Sequence, residues 1–98
     1  MDSIEFARRI RERAVRMVSH ANASHIGTCL SMADLLAALY TRTLRVDPAQ
    51  PAWPERDRFI LSKGHAAPLL YAALAEGGYF PVQELETVRQ INSRLQGH

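Results

Sequence analysis

The ten residues Arg56-Asp57-Arg58-Phe59-Ile60-Leu61-Ser62-Lys63-Gly64-His65 constrain the fold of this chain more than any other stretch. A charged lead-in ends in the apolar run Phe59-Ile60-Leu61, which is bounded by Ser62 and Gly64. The run is too short for a helix and reads as a buried strand near residues 58–61. A helical pattern follows at once, with Pro68 in its first turn and Leu69, Leu70, Ala72, Ala73 and Leu74 behind it. Lys63, Gly64 and His65 therefore stand where a strand hands over to a helix. Such a junction aims backbone N–H groups and the positive end of a helix outward, which favours a bound phosphate. Lys63 adds charge, Gly64 allows close backbone approach, and His65 supplies a directional donor. The plainer reading of the same residues is a strand–turn–helix connection with an exposed lysine and a satisfied histidine.

A chain of 98 residues holds one small domain or part of a larger one. With 47% hydrophobic and 22% charged residues it is globular rather than disordered. A net charge of +2 is too small to argue for nucleic acid. The lone cysteine, Cys29, excludes an internal disulfide and a cysteine zinc site, and points to a reducing, cytoplasmic setting. No apolar run approaches the roughly 20 residues of a membrane helix. The acids Asp2, Glu5 and Glu12 argue against an N-terminal transit peptide.

The remaining chain reads as helices. Asp2 and Glu5 form a capping box for a first helix that runs to about His20. Ala7, Ile10, Ala14, Met17, Val18 and Ala21 make its apolar face, and Glu5–Arg9 and Glu12–Arg16 are acid-first pairs on the other. The interleaved acids make this a solvated face rather than a nucleic-acid patch. Residues Asn22 to Thr28 read as a loop, and Ser31 as the cap of a second helix with Asp34 three residues later. Leu30 and Leu35 would staple that cap, while Leu35, Leu36, Leu39 and Tyr40 face inward. Pro48, Pro51 and Pro54 mark an irregular connection pinned by Trp53, and Gly77-Gly78 end the third helix. A fourth helix is expected from about Pro81, with Val82, Leu85, Val88 and Ile91 inward. The residues thus read as mostly α with one short strand. A single strand has no ladder partner, so it either pairs outside this chain or is not a strand.

Three of the four histidines share a setting. His25 lies in Ser24-His25-Ile26-Gly27, His65 in Lys63-Gly64-His65, and His98 in Gln96-Gly97-His98. Each stands beside small residues, with its ring available to a ligand. No carboxylate or cysteine is spaced with them to complete a metal site, so hydrogen bonding to phosphate and hydroxyl groups fits better.

These motifs, in this order, resemble the N-terminal start of a transketolase, a thiamine diphosphate enzyme. The resemblance runs from about Arg11 to His98 and includes Leu30-Ser31-Met32-Ala33-Asp34-Leu35, Asp57 to His65, Tyr71, Leu74 and Gly78-Tyr79-Phe80. The family commonly has Gly-His-Pro-Gly at the first motif, where this chain has Ser24 and Ile26 in place of the first glycine and the proline. The resemblance implies an α/β fold, a parallel sheet flanked by helices, of which residues 1–98 are the N-terminal portion of the diphosphate-binding domain. It implies that His65 and Gly64 contact the cofactor diphosphate, and that His25 and His98 line the ketose channel in two-carbon ketol transfer between sugar phosphates. The implied cofactor is thiamine diphosphate with Mg2+. The family's Gly-Asp-Gly run and later asparagine, its metal ligands, do not occur here. The chain is accordingly expected to work with the rest of the enzyme or a partner subunit, in a dimeric assembly, and to be inactive alone. Two alternatives are a 1-deoxyxylulose 5-phosphate synthase-like enzyme and a non-catalytic helical interaction subunit.

Overall fold

The computed structural model describes residues 2–20, 26–88, 90 and 93–95, and for His20 the backbone alone. Helix α1 spans Ser3–His20, α2 Ile26–Ala38 and α3 Ala67–Glu76. A π-helical turn, Leu39–Thr43, prolongs α2, and short 3₁₀ turns occupy Gly64–Ala66 and Val82–Thr87.

Helix α1 forms where local signals place it. The Asp2 carboxylate accepts from the Glu5 N–H at 2.8 Å, the first-turn cap that the capping box anticipates. Its inner stripe, Ala7, Ile10, Ala14, Met17 and Val18, is buried, joined by Phe6 one turn before Ile10. On the outer side Glu5 pairs with Arg9 at 3.1 Å as expected, and also with Arg8. Glu12 does not pair with Arg16; it accepts from Arg8 at 2.7 Å.

Helix α2 begins at Ile26, five residues before the cap expected at Ser31. The Ser31 hydroxyl donates to the Thr28 carbonyl at 3.0 Å, the bond of a residue already inside a helix. Asp34 is drawn to Arg11 of α1 at 2.9 Å instead of closing a box. Leu30 and Leu35 are 39% and 61% exposed, so no staple forms. The buried face is Cys29, Ala33, Leu36 and Ala37, whose mostly small side chains let α2 lie close against α1. The core is completed by Leu69, Ala72, Ala73 and Ala75 of α3.

The Pro-rich connection is closed by Arg45 and Asp57. Their backbones bond once, Asp57 N–H to the Arg45 carbonyl at 2.8 Å, and the Asp57 carboxylate accepts the Arg45 N–H at 2.7 Å. The Arg45 N–H donated to the carboxylate, and after it the Arg45 guanidinium at 3.3 Å, hold the Asp57 carboxyl below its ordinary range. Trp53 is half-buried, and its carbonyl accepts from Arg56.

The strand expected near 58–61 is not formed: no described residue is in a strand, and the described architecture is mostly helical. Residues Arg58 to Leu61 lie outside any regular element, and among the described residues no second strand completes a ladder with them. Phe59 packs on the core and meets Tyr40 edge-on, with centroids 6.1 Å apart, whereas Ile60 is 85% exposed.

Gly77 and Gly78 end α3 as expected. The Tyr79 N–H reaches back to the Leu74 carbonyl at 2.9 Å, and Gly78 takes a φ of 96°, a left-handed conformation suited to glycine. In place of a fourth helix, residues Val82–Thr87 make a 3₁₀ turn. The Val88 N–H bonds to the Leu85 carbonyl at 3.4 Å, a 3₁₀-type pairing, and the Thr87 hydroxyl donates to the Glu84 carbonyl at 2.7 Å. Leu85 and Val88 still point inward; Ile91 lies outside the described residues.

Candidate functional site

Lys63, Gly64 and His65 stand at the entrance to α3 as expected, though no strand precedes them. Lys63 has extended backbone, φ −92° and ψ 95°, and the chain then turns through Gly64–Ala66 directly into α3. Ala66 is buried and anchors the turn, leaving Lys63 and His65 exposed on its outer side. No side chain caps the start of α3. The turn uses two donors internally: Ala66 N–H to the Lys63 carbonyl at 3.1 Å, and Ala67 N–H to the Gly64 carbonyl. Pro68 has no N–H to offer. The turn thus presents the side chains of Lys63 and His65 beside the positive end of the ten-residue α3.

That donor set suits a phosphate or diphosphate: one cation, one imidazole and a positive helix end, with glycine between them. It does not suit a metal. Among the described residues no group of three or more His, Cys, Asp or Glu side chains stands together. Cys29 is fully buried, and burial raises its thiol above the ordinary range, so it acts as a packing residue.

Of the four site residues read from the sequence, the structure places His65 and Gly64 together in one turn. His25 and His98 lie outside the described residues. The residue after His25, Ile26, opens α2 and packs against the core, and Gly27 beside it is exposed.

The structure also forms a cleft that no motif announces. It holds about 720 Å³ between α1 and the 82–87 turn, lined by Arg16, Met17, Val82, Leu85 and Glu86 among others. Its walls come from segments far apart in the chain, so no local pattern could have shown it. No described helix is long and apolar enough to cross a membrane.

Residues 3–98 match the family model described as transketolase, thiamine diphosphate binding domain. The chain belongs to the transketolase family. Among its relatives is the 6-deoxy-6-sulfo-D-fructose transketolase subunit SqwG of Clostridium sp. (strain MSTE9), 46% identical over 89 residues, which cover 91% of this chain and 32% of that protein. The transketolases of Mus musculus and Homo sapiens are 44% and 42% identical over 92 residues, 94% of this chain and 15% of theirs. The chain thus spans between 15% and 32% of the length of these relatives. The family membership supports thiamine diphosphate as the ligand of this domain.

Proposed function

We propose that residues 1–98 are the N-terminal portion of a transketolase diphosphate-binding domain and supply part of the site for two-carbon ketol transfer between sugar phosphates. The observation that carries this reading is the family match over residues 3–98, with its Lys63-Gly64-His65 motif set at the exposed entrance to α3. In this reading His65 and Lys63 hold the cofactor diphosphate by charge-assisted contacts, and Gly64 lets the backbone approach it. Thiamine diphosphate, once bound, supplies the electron sink that carbon–carbon bond cleavage requires. His25 and His98 hydrogen-bond the ketose hydroxyls and hold or release a proton there. Positioned histidines typically contribute about 10²–10⁴-fold in this way.

Magnesium accompanies the diphosphate in this reading, with its oxygen ligands provided by residues other than those described here. The rest of the domain, or a partner subunit, completes the site in a dimeric assembly. The subunit named in the SqwG relative supports a divided enzyme, and its sulfosugar supports a ketose donor bearing an anionic group. The exposed side of Arg58 to Leu61, with Ile60 85% open, is where a parallel sheet of the α/β fold would be joined. The lone buried cysteine supports a cytoplasmic setting.

The test is a ketol-transfer assay, with a ketose phosphate donor and an aldose phosphate acceptor, on the assembled enzyme with cofactor and magnesium. Product formation is expected there. The 98-residue chain alone is expected to bind the cofactor no better than about millimolar, as a few kcal/mol of contact would give. Absence of transfer by the assembled enzyme overturns the function, and turnover by the lone chain overturns the need for a partner.

A further inference from the structure

Five large hydrophobic side chains are exposed among the described residues, and four of them stand on α1 and α2: Ile4, Val15, Leu30 and Leu35. Five residues link these helices, and Arg11 meets Asp34 at 2.9 Å, so α1 and α2 form an antiparallel hairpin. In that register Val15, one turn beyond Arg11, lies level with Leu30, one turn before Asp34. Ile4, Arg11 and Val15 recur at steps of seven and four residues and share one side of α1. Helix α2 carries a single charged residue, Asp34, in 13. A helix that is apolar nearly all round belongs in an interior. Yet the side of α2 opposite its buried face, made by Gly27, Ser31 and Leu35, is exposed. An apolar face of this kind marks an interaction surface.

The face is complementary to itself. Gly27 and Leu35 stand four residues on either side of Ser31, about 6 Å along the helix axis. Leu35 is 61% exposed, and nothing lies within 4 Å of where a Cβ on Gly27 would stand. A second copy, turned antiparallel about a twofold axis beside Ser31, sets its Leu35 against the open space at Gly27, and symmetry supplies the converse contact. The same axis passes beside Val15 and Leu30 and leaves the Arg11–Asp34 pair towards the rim, an apolar centre with a charged edge. That pair offers both signs of charge, whereas a surface for a charged partner carries one sign in excess. Helix α1, of 18 residues, is about 27 Å long and the hairpin about 20 Å wide, so two copies cover about 1,100 Å² in total, above the roughly 1,000 Å² of a specific interface. Two hairpins joined in this way make a four-helix bundle.

We propose that the outer face of the α1–α2 hairpin is the contact between two copies of this chain, with Ser31 on the twofold axis and Leu35 of each copy set against Gly27 of the other. This rests on the dimeric assembly proposed above and assigns its interface. The experiment uses the assembled enzyme carrying Ser31→Cys, oxidised with copper phenanthroline, with Arg42→Cys on the exposed π-helical turn as the control. Helices packed about 8–10 Å apart bring facing Cα atoms within about 6 Å, inside disulfide range. Cys29 is buried and does not compete. Ser31→Cys is expected to give a reducible species of twice the chain mass, and Arg42→Cys none. Val15→Glu and Leu35→Glu are read by sedimentation over a concentration series. Both positions are exposed in the single copy, so the hairpin keeps its fold, which thermal unfolding checks. A charge buried unpaired in the interface is expected to weaken self-association at least about tenfold. Absence of the Ser31→Cys crosslink overturns the inference, as does parental self-association of both glutamate variants. A crosslink from Ser31→Cys to any other segment overturns it too, and identifies the remainder of the enzyme as the occupant. Ketol transfer is assayed on the same samples. Its failure in the parent overturns the proposed function, and transfer by an enzyme that gives no crosslink overturns this inference alone.

Discussion

Arg13 of α1 donates from Nε to Glu76 Oε1 in the last turn of α3 across 3.1 Å. The Glu76 side chain is only 7% exposed and that of Arg13 36%, so this contact joins two helices through a carboxylate largely withdrawn from water. Its value lies in not leaving Glu76 unpaired. Removing one partner of a fully buried pair costs about 3–5 kcal/mol, and the part-exposed arginine lowers that to about 1–2 kcal/mol here. Arg13→Ala is expected to lower the free energy of unfolding by that amount, read from a lower urea midpoint at unchanged slope. Arg13→Ala combined with Glu76→Gln should lose less than the two single losses added. An Arg13→Ala midpoint equal to the parent's would show that water solvates Glu76 adequately.

Glu5 makes the first turn of α1 sensitive to acid. Hydrogen bonds from Arg8, then Arg9, hold its carboxyl at about 2, against an ordinary 4.5. A carboxyl lowered by folding stabilises the folded state above its unfolded pKa and loses that contribution as pH falls towards the folded one. The stability difference between the parent and Glu5→Gln is therefore expected to be constant above about pH 5 and to shrink between 4.5 and 2. Thermal unfolding across that range measures it; a difference that does not depend on pH contradicts the assignment.

Gly78 and Gly27 make opposite predictions from the same substitution. Gly78 sits at φ 96°, where a side chain is strained, and Gly78→Ala is expected to cost about 1–2 kcal/mol. Gly27 lies in the first turn of α2 with nothing within 4 Å of where a Cβ would stand. Gly27→Ala is expected to stabilise by about 0.4–1 kcal/mol, because it restricts the unfolded chain without meeting an obstacle. Equal denaturation midpoints for the two variants would falsify the backbone argument.

The histidines divide by readout. In the assembled enzyme His65→Ala is expected to weaken thiamine diphosphate binding by about 1.5–3 kcal/mol, the range for a hydrogen bond to a charged group. His25→Ala and His98→Ala are expected to lower kcat or raise KM for the ketose donor while leaving cofactor affinity near the parent's. Calorimetry and steady-state kinetics separate the two effects. Unchanged cofactor affinity in His65→Ala, or parental kinetics in the other two, would reduce those residues to a structural role.

Much of this protein was legible in the sequence because the deciding interactions are local. Asp2 caps Glu5 three residues on, the α1 stripe repeats at helical steps, and Gly77-Gly78 stop α3 through bonds within its own last turn. The Lys63-Gly64-His65 turn was legible for the same reason: its three groups are neighbours in the chain and meet at one helix entrance. Tertiary structure decided the rest. Ser31 looks like a cap by composition, yet α2 starts five residues earlier, and the side chains that pack on α1 and α3 are Cys29, Ala33, Leu36 and Ala37 rather than Leu35. The residues 82–87 carry a helical spacing, but they fold as a 3₁₀ turn in which the Val88 N–H bonds to Leu85. Arg13 meets Glu76 across 63 positions, a pairing no local pattern encodes. Phe59-Ile60-Leu61 has the composition of a strand, but a strand is a relation between two backbones, and hydrogen bonds to a distant partner cannot be written into one segment alone.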